Sequence, residues 1–243
     1  MAIEILNNYI NTQRKPAFCG ATKTINIINN SPVSDVFIKE VEQGLESPID
    51  SKVEKNIHRA QGLNIGIAEN ITHIDSSIKT ESIITGTTVK LGFSPEHNYS
   101  NWICLFENPQ IKNRPNVTNT VRHELGHQTH EMFEKLIGSD LTETKSFTEA
   151  YLKDKNILAS CDKYDLIRKY FKNNLMALFS YNYYVEGNGA RSAKCETFAE
   201  IFAMLNGGSG AEAQHKGFDK LYKKVFPNTV AYVEKLLYLL GKR

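Results

Sequence analysis

The sequence predicts an α+β fold, because a strand-like pattern gives way to a helical one near residue 110. Before that point, short runs rich in Ile, Val and Thr alternate with turn residues, as strands do. From Asn116 onward, apolar residues recur at helical spacing, and glycine or proline separates the segments. We therefore expect a β-rich N-terminal lobe over residues 1–115 and a helical lobe over 116–243, packed together as one domain.

The N-terminal half contains five segments with the composition of strands and one with helical spacing. The predicted strands are TINIINN (24–30), VSDVFIKEVE (33–42), GLNIGIAEN (62–70), ESIITGTTVKLGF (81–93) and NWICLFEN (101–108). Within the fourth segment, Thr85-Gly86-Thr87 is predicted to form a turn. Residues 49–61 are predicted to form a helix because their apolar residues share one face.

The C-terminal half is predicted to be helical nearly throughout. After the long segment that begins near Asn116 and stops at Gly138, helices are expected near 144–155, 162–181, 193–205, 211–225 and 228–240. The boundaries follow glycines at 138, 187–189 and 207–210 and a proline at 227.

Residues 123–127 read His-Glu-Leu-Gly-His within the first of these helices. Two histidines four residues apart lie about 40° apart around a helix and about 6 Å apart along it. His123 and His127 can therefore bind one metal ion. Glu124, on the flank of the same face, can act as a general base toward water. The pattern indicates a site for one Zn²⁺ per chain.

A catalytic zinc site needs a third protein ligand, and the sequence offers two sources. The first source is His130, but it lies past the centre of the site, and its side chain would have to reach back across the helix face. We therefore interpret it as a polar residue at the helix border or as an outer hydrogen-bond donor. The apolar segment 193–205 carries Glu196 and Glu200 four residues apart on one face. Buried glutamates are costly unless they are paired or bound to metal. One of them can therefore bind zinc, while the other accepts the ring N–H of a ligand histidine.

HELGH followed by CETFAEIF resembles the zinc protease domain of anthrax lethal factor and its relatives, which include secreted Pro-Pro endopeptidases. In that family, the first glutamate of Glu-x-Phe-Ala-Glu is the third zinc ligand. The resemblance implies a zincin-like fold whose catalytic lobe is residues 116–243, with Glu196 as ligand and Glu200 supporting the site. The last segment, VFPNTVAYVEKLLYLL, also resembles the terminal helix of that domain.

The chain departs from the family in two places. Sixty-eight residues separate His127 from Glu196, so we expect an inserted helix. The family tyrosine that stabilises the oxyanion stands seven residues before the ligand glutamate, where this chain has Gly189. A short insertion would let Tyr184 or Tyr183 take that role; Tyr181 and Arg191 are further candidates in the same region.

These observations favour a zinc-dependent endopeptidase of the gluzincin type. Its substrate would be a protein or peptide bound in an extended conformation, for which NWICLFEN is the predicted edge strand and Trp102 a candidate contact. The resemblance further implies a bacterial effector that is secreted or injected. Two alternatives stay open, namely a zinc hydrolase of a non-protein amide and a catalytically silent zinc-binding interaction domain.

Composition and charge limit the classes of partner and the cellular locations expected for this protein. A net charge of +2 without single-sign blocks gives no nucleic-acid footprint. No segment is long and apolar enough to span a membrane. The N-terminus lacks a signal-peptide pattern, so we expect a cytoplasmic protein, export by a signal-independent route, or a leader already removed. The four cysteines form no C-x-x-C pair, and Cys195 is interpreted as a small buried thiol.

Overall fold

A computed structural model describes residues 26–29, 32–45, 64–73, 86–89, 102–109, 117–159, 193–206 and 223–241. These ranges contain four strands and five α-helices, and they confirm the α+β class. In chain order the elements are β1 (Asn26–Asn29), α1 (Asp35–Leu45), β2 (Asn64–Ala68), β3 (Gly86–Val89), β4 (Trp102–Phe106), α2 (Val117–Ile137), α3 (Lys145–Ala159), α4 (Ala193–Leu205) and α5 (Pro227–Gly241).

The four strands form one sheet in the order β1-β2-β4-β3. β1, β2 and β4 are parallel, and β3 is antiparallel to β4. Residues 65–68 of β2 and 103–106 of β4 are all buried, so these strands are covered on both faces. Continuous apolar runs are typical of parallel strands in that position. The strands predicted within TINIINN, GLNIGIAEN and NWICLFEN are confirmed.

The strand predicted for VSDVFIKEVE is wrong, because these residues enter helix α1. Phe37 and Val41, four residues apart, are both fully buried, which is the spacing of a helix face. The hydroxyl of Ser34 accepts a hydrogen bond from the Phe37 N–H at 3.1 Å and caps the helix. The Glu107 carboxylate in turn accepts the Ser34 N–H at 2.8 Å. A cap and tertiary packing therefore override the strand preference of Val and Ile.

Two predictions about the sheet are also wrong. Gly86 and Thr87 pair with Leu105 and Cys104 inside β3, so Thr85-Gly86-Thr87 does not form the predicted turn. β4, the core of NWICLFEN, lies between β2 and β3 and is not an edge strand. Within the described part of the chain, β3 occupies the edge next to β4. Strand order depends on long-range pairing, which the composition of a single strand does not encode.

The predicted helices are confirmed wherever the chain is described. α2, α4 and α5 match their predicted segments within one or two residues, and α3 extends to Ala159. Gly138 ends α2 in the left-handed conformation, with φ of 69°. The predicted helices at 49–61 and 162–181 lie outside the described residues, as does 211–225 except for its last three.

One apolar core joins the sheet to the helices. Its largest fully buried side chains come from α1, both central strands, α2, α3, α4 and the turn before α3; they are Phe37, Ile65, Ile67, Ile103, Leu105, Phe106, Phe133, Leu141, Phe147, Phe198 and Ile201. α2 therefore runs through the interior, and α4 packs along it. None of the helices in the described ranges has the length and apolar character needed to span a membrane.

Candidate metal centre

Helix α2 buries polar side chains in the middle of the molecule. His123, Glu124, His127, His130 and Glu131 are each at most 8% exposed. Ionisable groups away from water need a hydrogen-bond partner, an opposite charge or a metal ion. The surroundings of these side chains therefore indicate what the helix is built to hold.

Three potential ligand atoms converge where α2 faces α4. The Nε2 atoms of His123 and His127 are 3.2 Å apart. Glu196 Oε2 lies 3.2 Å from His123 Nε2 and 3.4 Å from His127 Nε2. All three side chains are buried, and together they form a group that can hold a metal ion. The structure thus brings together the two histidines of HELGH and the first glutamate of CETFAEIF.

Glu196 Oε2, the carboxylate oxygen of this group, faces both imidazole rings. Oε2 is buried and, among the described residues, makes no hydrogen bond, although both imidazoles approach it. Burial alone would raise the pKa of the Glu196 carboxyl, yet His123 and His127 hold it well below its ordinary value. A buried carboxylate oxygen facing two imidazole nitrogens is an arrangement that a bound cation completes.

Glu200 holds the far side of the His123 ring. Its Oε2 lies 3.0 Å from His123 Nδ1, so a proton on Nδ1 leaves the Nε2 lone pair facing Glu196. Burial alone would lower the pKa of His123, but Glu196 and Glu200 outweigh it and raise that pKa to about 10. A metal ion that binds the imidazole must displace the second proton.

The far side of the His127 ring faces a sulfur. Cys195 Sγ lies 3.7 Å from His127 Nδ1 and 3.8 Å from His130 Nδ1. Burial alone would raise the pKa of the Cys195 thiol, but the two imidazoles outweigh it and lower that pKa to about 6. The thiol is therefore a polar partner of two histidines and is only partly buried, whereas the sequence predicted a small buried thiol.

His130 is oriented from its other nitrogen. Its Nε2 lies 2.9 Å from Asp140 Oδ1, and the same oxygen accepts hydrogen bonds from the backbone N–H and the hydroxyl of Thr142, both at 2.7 Å. His130, Glu134 and Asp140 form the other described group that could hold a metal ion. Because His130 and Asp140 already bond to each other, we interpret that group as a support for the His130 ring.

The His130–Asp140 pair predicts a pH dependence of stability. Burial alone would lower the pKa of His130, but Asp140 and Cys195 raise it to about 9. A pKa above the ordinary value means that the protonated ring stabilises the fold fully below about pH 6.5, and that this contribution is lost as pH rises toward about 9. We expect His130→Gln to remove on the order of 1–3 kcal/mol at pH 6 and much less at pH 9.5.

Urea unfolding of the metal-free wild type and His130→Gln, at pH values from 6 to 9.5, measures this difference. Comparing the two proteins at each pH cancels the titration of His123. A difference in unfolding free energy that does not shrink with rising pH would contradict the charged pair.

Gly126 sets how closely α2 and α4 approach. A Cβ atom at this position would lie 2.7 Å from the Ala199 Cα and 2.8 Å from the Ala199 carbonyl oxygen. Both are backbone atoms, so the helices would have to move apart. Since Glu196 and Glu200 flank Ala199 on α4, this glycine keeps the carboxylates within reach of the histidines.

We expect Gly126→Ala to weaken metal binding about tenfold and to cost about 1–3 kcal/mol of stability, despite the better helix propensity of alanine. Gly44→Ala is the matched control, because a Cβ there would meet Val121 Cβ at 2.6 Å at the contact between α1 and α2. Both variants should lose stability in thermal unfolding. Only Gly126→Ala should lose zinc affinity, and equal affinities would contradict the role of the close helix approach.

Glu124 follows His123 on α2 and is 6% exposed. Burial raises the pKa of the Cys104 thiol to about 12, and the Glu124 charge adds to this effect. Because Cys104 is on β4, Glu124 lies on the side of α2 near the sheet. Glu124 is therefore next to His123 in the chain but does not belong to the group of candidate ligands.

Several predicted site residues lie outside the described part of the chain. These residues are Tyr181, Tyr183, Tyr184 and Arg191. Residues 160–192, part of the stretch between His127 and Glu196 in which an inserted helix is predicted, lie outside the described residues as well. The side chain of Trp102 lies outside them as well, although its backbone belongs to β4. The role of these residues stays a prediction.

Gly126 and Asp140 contribute to the site but were not predicted from the sequence. A glycine inside a helix with buried polar residues is a signal of close packing, and it stood within HELGH itself. Asp140 begins Asp-x-x-Glu, and its side chain caps the turn Leu141–Glu143, so a capping pattern was available. Nothing in the sequence connects Asp140 to His130, because the contact depends on how the chain turns after Gly138.

Comparisons with known proteins give structural neighbours but no match in sequence. No protein-family model and no curated protein matches the chain. Among solved structures, the Pro-Pro endopeptidase from Paenibacillus alvei is similar over 86% of this chain and 96% of its own, with 13% identity and a TM-score of 0.48. A similarity of this size does not establish a function, so the atoms of the site must carry it.

Proposed function

We propose that the protein is a zinc-dependent endopeptidase of the gluzincin type. His123, His127 and Glu196 would be the zinc ligands, with Glu124 as the general base and Glu200 as the support of His123. The observation that carries this proposal is the convergence of three buried ligand atoms, one of them the otherwise unsatisfied Glu196 Oε2.

The spacing of these atoms fits zinc. Tetrahedral zinc with ligands at 2.0–2.2 Å places its ligand atoms about 3.3–3.6 Å from one another. The three atoms here are separated by 3.2, 3.2 and 3.4 Å. Two imidazole nitrogens and one carboxylate oxygen are also a usual ligand set for catalytic zinc, which leaves the fourth position for water or substrate.

The chain's own residues supply proton transfer and positioning. When bound, zinc polarises a carbonyl oxygen and makes a water molecule more acidic. The Glu124 carboxylate takes a proton from the attacking water and delivers it to the nitrogen of the leaving amine. Glu200 keeps the His123 ring in one orientation through Nδ1. Tyr184 is the residue we propose for stabilising the oxyanion, with Tyr183, Tyr181 and Arg191 as alternatives.

An extended peptide would bind along β3. This strand pairs with β4 on one side, and within the described ranges no strand pairs with its other side. A sheet edge offers backbone donors and acceptors to an extended chain. We therefore transfer the edge-strand role predicted for NWICLFEN to Gly86–Val89, which also packs against α2. In this proposal the two lobes, 1–115 and 116–243, form one zincin-like catalytic domain.

The proposal is tested by measuring zinc and peptide hydrolysis on the same preparation. Elemental analysis should find one zinc per chain, and mass spectrometry of a peptide library should show cleavage of internal peptide bonds. Dialysis against a chelator should stop cleavage, and added zinc should restore it. Absence of a stoichiometric metal would overturn the site. One bound zinc with cleavage of non-peptide amides only would favour the alternative hydrolase.

A further inference from the structure

The two candidate zinc-binding histidines have different outer partners, and both partners lie on α4. His123 Nδ1 faces the Glu200 carboxylate at 3.0 Å. His127 Nδ1 faces the Cys195 sulfur at 3.7 Å. A metal-bound histidine usually donates its second N–H to a carboxylate, a carbonyl or water, which fixes the ring. A cysteine in that place is a property of this chain that the proposed reaction does not use.

We propose that Cys195 is a positioning residue for His127: its sulfur accepts the Nδ1–H of that ring and so directs Nε2 toward the metal. This inference rests on the proposed zinc site. It assigns Cys195 no contact with substrate and no part in the chemistry. Its effect is on how tightly the protein holds the metal.

A second histidine holds the sulfur in place. His130 is on α2, as is His127, and its Nδ1 lies 3.8 Å from Cys195 Sγ. Distances of 3.7 and 3.8 Å suit hydrogen bonds to sulfur, which is larger than oxygen. Contacts with two imidazole nitrogens therefore favour one rotamer of the Cys195 side chain.

The contacts of Cys195 continue through His130 to Asp140. His130 Nε2 bonds to Asp140 Oδ1 at 2.9 Å, and Thr142 donates twice to the same oxygen. The Phe198 ring on α4 also contacts the His130 ring, with ring centroids 5.7 Å apart. We infer that the orientation of His127 depends on a series of partly buried contacts that runs through Cys195 and His130 to Asp140.

The test measures zinc affinity by competition with a chromophoric chelator, so it needs no substrate. We expect Cys195→Ala to weaken zinc binding by about 10- to 100-fold, as loss of an outer partner does in metal sites. The zinc affinity of Cys195→Ser should lie between those of Cys195→Ala and the wild type. The serine hydroxyl can accept the same hydrogen bond as the thiol, but the serine side chain is shorter. Cys104→Ala, which removes a buried thiol on β4, is the matched control and should stay within about twofold of wild type.

A double-mutant cycle separates positioning from loss of packing. We expect His130→Gln to weaken zinc binding a few-fold in the wild type and to have no further effect in Cys195→Ala, since His130 acts through the sulfur. Additive losses would mean that the two side chains act independently. Circular dichroism of the metal-free proteins checks that each variant is folded, and the serine variant decides the question if alanine disturbs the fold.

The outcomes distinguish this inference from the proposed function. Wild-type affinity in Cys195→Ala, equal to that of Cys104→Ala, would overturn the positioning role while leaving the zinc site intact. A wild type that binds no zinc would overturn the site itself and this inference with it. Weak zinc binding in Cys195→Ala and intermediate binding in Cys195→Ser would support it, whether or not peptide cleavage has been found.

Discussion

Replacing Glu124 by glutamine is expected to lower peptide hydrolysis by about 10²- to 10⁴-fold while one zinc per chain remains bound. Glutamine has nearly the volume of glutamate, so the packing of this buried position should survive. It cannot accept the proton of the attacking water, which is the step assigned to Glu124. Because Glu124 is not in the group of His123, His127 and Glu196, metal binding should not depend on its charge.

Cleavage of a fluorogenic peptide and elemental analysis of the same sample measure the two effects together. Glu149→Gln is the control for removing a carboxylate, since Glu149 lies exposed on α3 and pairs with Lys145 at 3.8 Å. That variant should cleave at the wild-type rate. Full activity in Glu124→Gln would refute its role as general base, whereas loss of zinc would indicate that Glu124 helps to hold the metal.

The candidate site was more accessible to sequence reasoning than much of the fold around it. HELGH is informative because side chains four residues apart lie on the same face of a helix. The apolar pattern around it predicted that helix, which is α2. CETFAEIF is informative for the same reason, since two glutamates in an apolar helix need buried partners. Local geometry and the cost of burying charge therefore connect the two histidines with this pair of glutamates, whereas the choice of Glu196 as the ligand came from the family resemblance.

Long-range pairing accounts for what the sequence did not show. The position of β4 inside the sheet follows from its partners β2 and β3, which come from distant parts of the chain. The helix at Asp35–Leu45 depends on a cap held by Glu107 and on contact with α2. The contacts of Cys195 likewise join α4 to α2, and the contact of His130 with Asp140 joins α2 to the turn after Gly138. None of these relations is a pattern within one segment, so periodicity and composition could not reveal them.

The dependence of the site on α4 leads to the other large effect. Glu196→Ala is expected to weaken zinc binding by more than about 100-fold and to abolish zinc-dependent cleavage, because losing a ligand should exceed the loss of an outer partner. The change leaves His123 and His127 with two nitrogens 3.2 Å apart and no carboxylate oxygen between them and α4. Two neutral ligands also lack the negative charge that offsets a divalent cation.

Glu149→Ala is the matched control for this variant, since it also removes a helical glutamate, but on an exposed surface of α3. Chelator competition should give the control a wild-type zinc affinity, and thermal unfolding without metal should show whether Glu196→Ala remains folded. Removing this carboxylate should destabilise the metal-free protein, because Glu196 is a buried acidic partner of both imidazoles. A metal-free variant that is still folded and has lost its zinc affinity would identify Glu196 as a zinc ligand. Unchanged zinc affinity would instead exclude Glu196 as a ligand and leave His123 and His127 to find their third ligand elsewhere.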